Sequence, residues 1–189
     1  LSFVGNLQSS FELRSKIVAL HNGKDVFSKQ TSDVIKGKDP TYPELLSDST
    51  FCACPRGDML YTYRFIECLS AGSIPVIFTI SNSKTGDHWY LPFNSHLINW
   101  EDVVVVVSDV DRTLTTLRHI SKDQICRMRQ NAFEIFNQYM QTPTHVMHAI
   151  FQTLEIGYQT RRKHKHSLSL QQLQEWMRED SPQIQPARF

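Results

Sequence analysis

Residues 50–78, T-F-C-A-C-P-R-G-D-M-L-Y-T-Y-R-F-I-E-C-L-S-A-G-S-I-P-V-I-F, constrain this chain more than any other stretch. A short run of small and β-favouring residues, 50–54, stops at Pro55 and reads as a buried strand. Residues 61–71 follow a helical pattern, with Gly72 in the C′ position that helix ends prefer. A second β-rich run, 74–78, begins at once. Strand, helix and strand joined by short links predict a right-handed parallel crossover. Such a crossover is the half-unit of a nucleotide-binding sheet, and its ligand sits beyond the end of the first strand.

The rest of the chain extends the alternation. Residues 2–5 read as a strand turning at Gly5, and Phe11, Arg14, Ile17 and Val18 recur at helical spacing through 11–20. Residues 24–42 are polar, contain Gly37 and Pro40, and read as a surface loop before a helical turn at 43–46. Residues 100–107 carry five consecutive valines and suit a strand buried on both faces. A helix is expected near 112–120. Ser121-Lys122-Asp123-Gln124 is a capping-box pattern opening a long helix toward Met140, and helix resumes over 145–156 after Thr142-Pro143. Phe133, Phe136 and Tyr139, three residues apart, read as core. The expected fold is α/β, a Rossmann-like parallel sheet with flanking helices. Its expected extent is 1–157, with 158–189 a basic polar tail holding a short amphipathic helix at 168–177.

A chain of 189 residues, 40% hydrophobic, supports one full domain and not two. A formal net charge of +1 argues against nucleic-acid or membrane-surface binding, which need a basic excess. The longest apolar run, 103–107, is far short of a membrane span. No signal-peptide pattern and no initiator Met open the chain, which reads as a piece of a longer protein. Cys52 and Cys54 share a strand face and are poorly placed to bond each other, and no C-x-x-C pair supports zinc. Cys52, Cys54, Cys68 and Cys126 therefore read as free thiols rather than disulfides, leaving the redox compartment open.

Pro55-Arg56-Gly57-Asp58 lies just past a strand end, where open parallel sheets bind phosphate. Arg56 can grip a phosphate as a fork, and Gly57 permits close backbone approach. Thr62 sits at the next helix start, where free N–H groups favour an anion. Arg64 and Glu67 share a helix face, so the arginines suit a diphosphate and the carboxylate a ribose. An ordinary i,i+3 salt bridge on a solvated face fits these two residues equally well.

The run F-C-x-C-P-R-G-x(4)-T-Y-R-F-I-E-C-L-S-A-G-S-I-P-V-I resembles the signature of the exostosin glycosyltransferases: F-C-L-x-P-R-G, then S-x-R-F-x-E-A-L, then G-C-I-P-V. Phe3-Val4-Gly5 with Arg14 is similar to that family's domain opening, and Leu91-Pro92-Phe93, Trp100 and residues 103–107 to its L-P-F … W … V-V-V segment. The resemblance, covering residues 1–156, implies the C-terminal, donor-binding lobe of a GT-B enzyme. It implies inverting transfer from a UDP-sugar to a glycan or glycoprotein acceptor. Arg56, Thr62 and Arg64 would hold the diphosphate, Glu67 the ribose, and Arg14 a further donor contact. It also implies that no metal or other cofactor is needed, that the general base lies on the other lobe, and that the whole protein is a Golgi type II membrane protein. Departures are Thr62 for Ser, Ser73 for Cys, and Asp58-Met59 where animal exostosins carry arginines.

Asp109-Val110-Asp111 matches the D-x-D pattern of metal-dependent glycosyltransferases but reads better as a helix cap. His164 and His166 belong to a solvated basic run. His145 and His148, one turn apart, lack a third ligand. Trp89 fits stacking on a base or sugar and simple packing equally well. Two further readings stand beside the transferase. One is a non-catalytic exostosin-like partner, in a hetero- or homo-oligomer, that stabilises an active glycosyltransferase. The other is a soluble nucleotide-binding regulator.

Overall fold

A computed structural model of the chain describes residues 1–8, 10–57, 62–79, 91–93 and 96–167, with side chains as far as 162. Five parallel strands form one sheet: β1 (Ser2–Gly5), β2 (Phe27–Gln30), β3 (Phe51–Cys54), β4 (Ile74–Phe78) and β5 (Val105–Val107). Their order is β2-β1-β3-β4-β5, the doubly wound arrangement that switches direction between β1 and β3. Helices α1 (Phe11–Ala19) and α4 (Thr113–Arg118) cover one face. Helices α2 (Tyr42–Asp48) and α3 (Tyr63–Ser70) cover the other. The α/β, Rossmann-like expectation is met, and strands 2–5, 51–54 and 74–78 lie where the sequence places them.

Two cores hold the layers. Phe3, Ile17, Phe51, Ile74, Val76 and Val107 pack under α1 and α4. Cys52, Phe65, Leu69, Ile77, Trp100 and Val103 pack under α2 and α3. Trp100 explains the L-P-F … W pattern: its ring meets Phe65 edge-on at 5.3 Å, and its Nε1–H donates to the Pro92 carbonyl at 3.1 Å. Helix α5 (Lys122–Ile135) passes below the strands' amino ends, where Arg129 Nε donates to the Gly72 carbonyl at 2.7 Å. It is capped as expected, Ser121 Oγ accepting from the Gln124 amide. A π-helical turn, Phe136–Met140, leads into α6 (Pro143–Ser167), which runs unbroken past residue 157 and through the basic run. Among the described residues no helix is long and apolar enough to cross a membrane.

Four expectations need correction. Residues 24–42 are not wholly loop: Phe27–Gln30 pairs with β1 in full register, as a polar edge strand whose sequence lacks the apolar signal of a buried one. The valine run is not buried on both faces. Residues 100–102 form a 3₁₀ turn, and β5 is a three-residue edge strand in which Val106 is half exposed. Phe133 is exposed, while Phe136 and Tyr139 do pack on the core. The fourth concerns the cysteines. Cys52 on β3 and Cys68 on α3 form a disulfide. Cys54 is a buried free thiol with its sulfur 3.4 Å from that of Cys68, and Cys126 is an exposed one. Burial pushes the Cys54 thiol up to about 12.

Candidate donor-binding crevice

The sheet opens where its winding reverses. β1 and β3 share a single registered pair, Ser2 with Cys52, so they are paired at their amino ends only. Beyond Gly5 and Cys54 lie the loops to α1 and α3, and every candidate residue comes from these loops or the helices they feed.

Two arginines grip the carboxyl end of β1 from opposite faces. Arg14, on α1 and 7% exposed, donates from Nη1 to the Asn6 carbonyl at 2.6 Å. From Nε and Nη2 it donates to the Arg56 carbonyl at 3.2 and 3.1 Å. It thereby ties the loop after β1 to Pro55-Arg56-Gly57. Ser10 reinforces that tie, its hydroxyl donating to the Gly57 carbonyl at 3.3 Å. Arg64, on α3, donates from Nη2 to the Val4 carbonyl. Its guanidinium lies over the Phe3 ring at 4.8 Å and near the Tyr42 ring at 6.0 Å. Its buried Nε–H has no acceptor among the described residues. Arg56 is exposed at the crevice, and Thr62 is the N-cap of α3, its side chain making no capping hydrogen bond.

Arg64 gives the F-x-G opening a physical reason. A Cβ on Gly5 would stand 2.8 Å from the tip of the Phe3 ring and 3.2 Å from Arg64 Nη2. Phe3 is fully buried and has no room to yield. Gly5→Ala is expected to cost about 1–3 kcal/mol in urea unfolding and to push the Arg64 guanidinium out of place. Gly57 is less constrained, since an added Cβ would meet only Arg14 Nη2, at an ordinary 3.6 Å.

Glu67 and Arg64 form no ion pair with each other, so the simple surface salt bridge is not what holds them. Glu67 instead accepts from the Tyr42 hydroxyl at 2.7 Å. Burial first, and then this hydrogen bond, push the Tyr42 phenol up to about 12. Because the folded value lies above the usual 10, the stabilisation is complete below pH 10 and is lost as pH climbs from 10 to 12. After allowing for solvent screening it amounts to about 1 kcal/mol. Urea unfolding should show this loss for the parent and not for Tyr42→Phe. Tyr42 escaped the sequence reading because it lies 25 residues from Glu67 and its role depends on α2 packing beside α3.

Asp109 acts as the cap foreseen for it, Oδ1 accepting from the Asp111 amide at 3.0 Å. Of the histidine pair, His148 is exposed and His145 half-buried. Trp89 and Asp58 lie outside the described residues. The structure thus ties Arg14 to the Arg56 carbonyl and Ser10 to the Gly57 carbonyl, and places Arg64 with Glu67 and Tyr42 across the end of β1.

A family model described as the exostosin GT47 domain matches residues 1–123. The chain is 32% identical over 163 residues to exostosin-1c of Danio rerio and to exostosin-1 of Mus musculus, covering 77% of this chain. It is 32% identical over 120 residues to an exostosin-1 homolog of Caenorhabditis elegans, covering 60% of this chain. It spans 21%, 20% and 29% of the lengths of these relatives, respectively.

Proposed function

The chain belongs to the exostosin family, and on that footing we propose that it is the donor-binding lobe of an inverting glycosyltransferase using a UDP-sugar. One observation carries this reading. At the switch point of a 2-1-3-4-5 sheet, where open α/β folds take their ligands, Arg14 and Arg64 from two separate helices hold the Asn6 and Val4 carbonyls at the end of β1, and Arg14 also holds the Arg56 carbonyl of the loop after β3. Arg56, Arg64 and the first amides of α3, behind Thr62, receive the diphosphate. Glu67, held by Tyr42, receives the ribose hydroxyls. Arg14 acts through the Arg56–Gly57 backbone that it fixes.

The chemistry is electrostatic. As the bond from the anomeric carbon to the diphosphate breaks, negative charge grows on the leaving group, and fixed guanidinium and amide donors stabilise it without reorganising. Each such donor is worth about 2.7–4 kcal/mol in comparable sites. The acceptor hydroxyl attacks the opposite face of the sugar, and its proton passes to a base on the facing lobe. Positive charge for the diphosphate comes from arginine in this reading, so a divalent cation is not required. The engagement of Asp109 as a helix cap supports that view. Chelation of divalent ions is expected to leave transfer unchanged in the longer protein, which this reading places in the Golgi membrane with a glycan or glycoprotein acceptor.

A non-catalytic role beside an active transferase is favoured by a different observation: Arg14 and Arg64 already spend donors on the chain's own carbonyls. UDP binding separates the two. UDP at about 20 times its dissociation constant is expected to stabilise the chain by about 1.8 kcal/mol in thermal unfolding. Glu67→Gln is expected to remove most of that gain. An unshifted parent would support the non-catalytic role.

A further inference from the structure

A second recess lies on the α1 face of the sheet, away from Tyr42 and Glu67. It is a cleft of about 500 Å³ over the carboxyl ends of β4 and β5, within the range of about 300–1,000 Å³ typical of small-molecule sites. Its walls are Ser10 and Phe11 at the start of α1, Arg56 after β3, Thr79 after β4, and Ser108 and Asp109 after β5. Phe11 stands at the rim with 66% of its surface exposed, although Arg14 and Ile17 of the same helix are buried. An aromatic ring left in solvent beside a polar cleft has its face available to a ligand.

The charges decide the class of ligand. Arg56 and Lys16 are matched by Asp109 and Glu12, and Lys16 is already paired with Glu12 at 3.6 Å. With no net charge, the cleft does not select an anion such as a second phosphate. With Glu12 paired to Lys16 and the Ser10 hydroxyl donating to the Gly57 carbonyl, it offers the Thr79 and Ser108 hydroxyls, the Arg56 guanidinium and the Asp109 carboxylate. Asp109 Oδ1 also accepts from the Asp111 amide, and its Oδ2 lies 3.9 Å from Arg112 Nε. Such groups hydrogen-bond neighbouring sugar hydroxyls in pairs. The Phe11 ring supplies the flat apolar face on which the C–H side of a pyranose lies. We propose that this cleft is a subsite for a neutral saccharide, the arm of the acceptor glycan next to the reacting sugar. The assignment rests on the transferase reading above. Arg56 lines this cleft, and its carbonyl is held by Arg14 at the switch point, so the cleft adjoins the proposed diphosphate site.

The test is saturation-transfer NMR on the 189-residue chain with cellotetraose, xylotetraose, galactotetraose and chitotetraose, each at about 5 mM. At least one tetrasaccharide is expected to receive saturation, from aromatic protons above all. Phe11→Ala is expected to weaken its binding about tenfold, Phe11→Tyr to preserve it, and Asp109→Asn to weaken it severalfold. Unchanged far-UV melts would show that the variants are folded. Silence from all four sugars, equal binding by Phe11→Ala, or displacement of the sugar by UDP would overturn the subsite. UDP titration of the same samples separates the two readings. Sugar binding without UDP binding sinks the donor site alone, and UDP binding without sugar binding sinks the subsite alone.

Discussion

Replacing Cys68 with Ala should be the most damaging single change to stability described here. The Cys52–Cys68 bond closes a loop across 16 positions and fastens α3 to β3. Loss of a cross-link over a loop of that length costs about 3 kcal/mol in the chain-entropy account, before counting the side chain missing from a fully buried site. Cys52→Ala should cost less, for a geometric reason. Cys54 already lies 3.4 Å from Cys68, so the same oxidant that closes the parent bond, glutathione disulfide or oxygen, can join Cys54 to Cys68 in that variant. The two thiols lose their protons and two electrons pass to the oxidant. In Cys68→Ala the remaining pair, two apart on one strand, has no such option. Urea midpoints and thiol counts by mass spectrometry check both statements. Equal destabilisation, with Cys54 still a free thiol in Cys52→Ala, would contradict the exchange.

The second large effect is on binding. Arg64→Ala should weaken UDP at least about thirtyfold, or about 2 kcal/mol, the loss expected for one charge-assisted contact. It should also lower stability, because the Val4 carbonyl loses its donor and the Phe3 ring its cation. Arg64→Lys should recover little of either. An ammonium cannot hold the Val4 carbonyl, cover Phe3 and present a fork to phosphate at one time. Calorimetry with UDP and a urea titration separate the two effects, and full recovery by Lys would mean that charge alone matters.

These residues show what the sequence made legible and what it hid. The segment from Phe51 to Phe78 announced itself because its signals are local: a buried strand stopped by proline, a helix closed by Gly72, a second strand directly after. The positions of Arg56, Thr62 and Arg64 at the switch point follow from that local order. What stayed hidden depends on partners distant in sequence. β2 is polar, and only its pairing with β1 makes it a strand. The valine run looked like a central strand, yet Trp100 draws its first part into a turn beneath α3, and β5 ends the sheet. Cys52 faces Cys68 because α3 lies across β3, which no cysteine spacing discloses. Glu67 is a candidate from its place on the helix alone, whereas Tyr42, whose hydroxyl donates to it, lies on a separate helix that only the fold brings alongside. The glycine of F-x-G could be read as a turn from sequence; that it makes room for Arg64 beside the buried Phe3 ring is a fact of packing.

The central claim, that the end of β1 is a nucleotide-diphosphate site, is tested most directly by calorimetric titration of the parent chain with UDP. The account predicts saturable binding with a dissociation constant between about 0.1 and 1 mM, roughly 4–5.5 kcal/mol for half of a two-lobed site. No heat of binding up to several times that range, from a chain whose melt shows it folded, would contradict it.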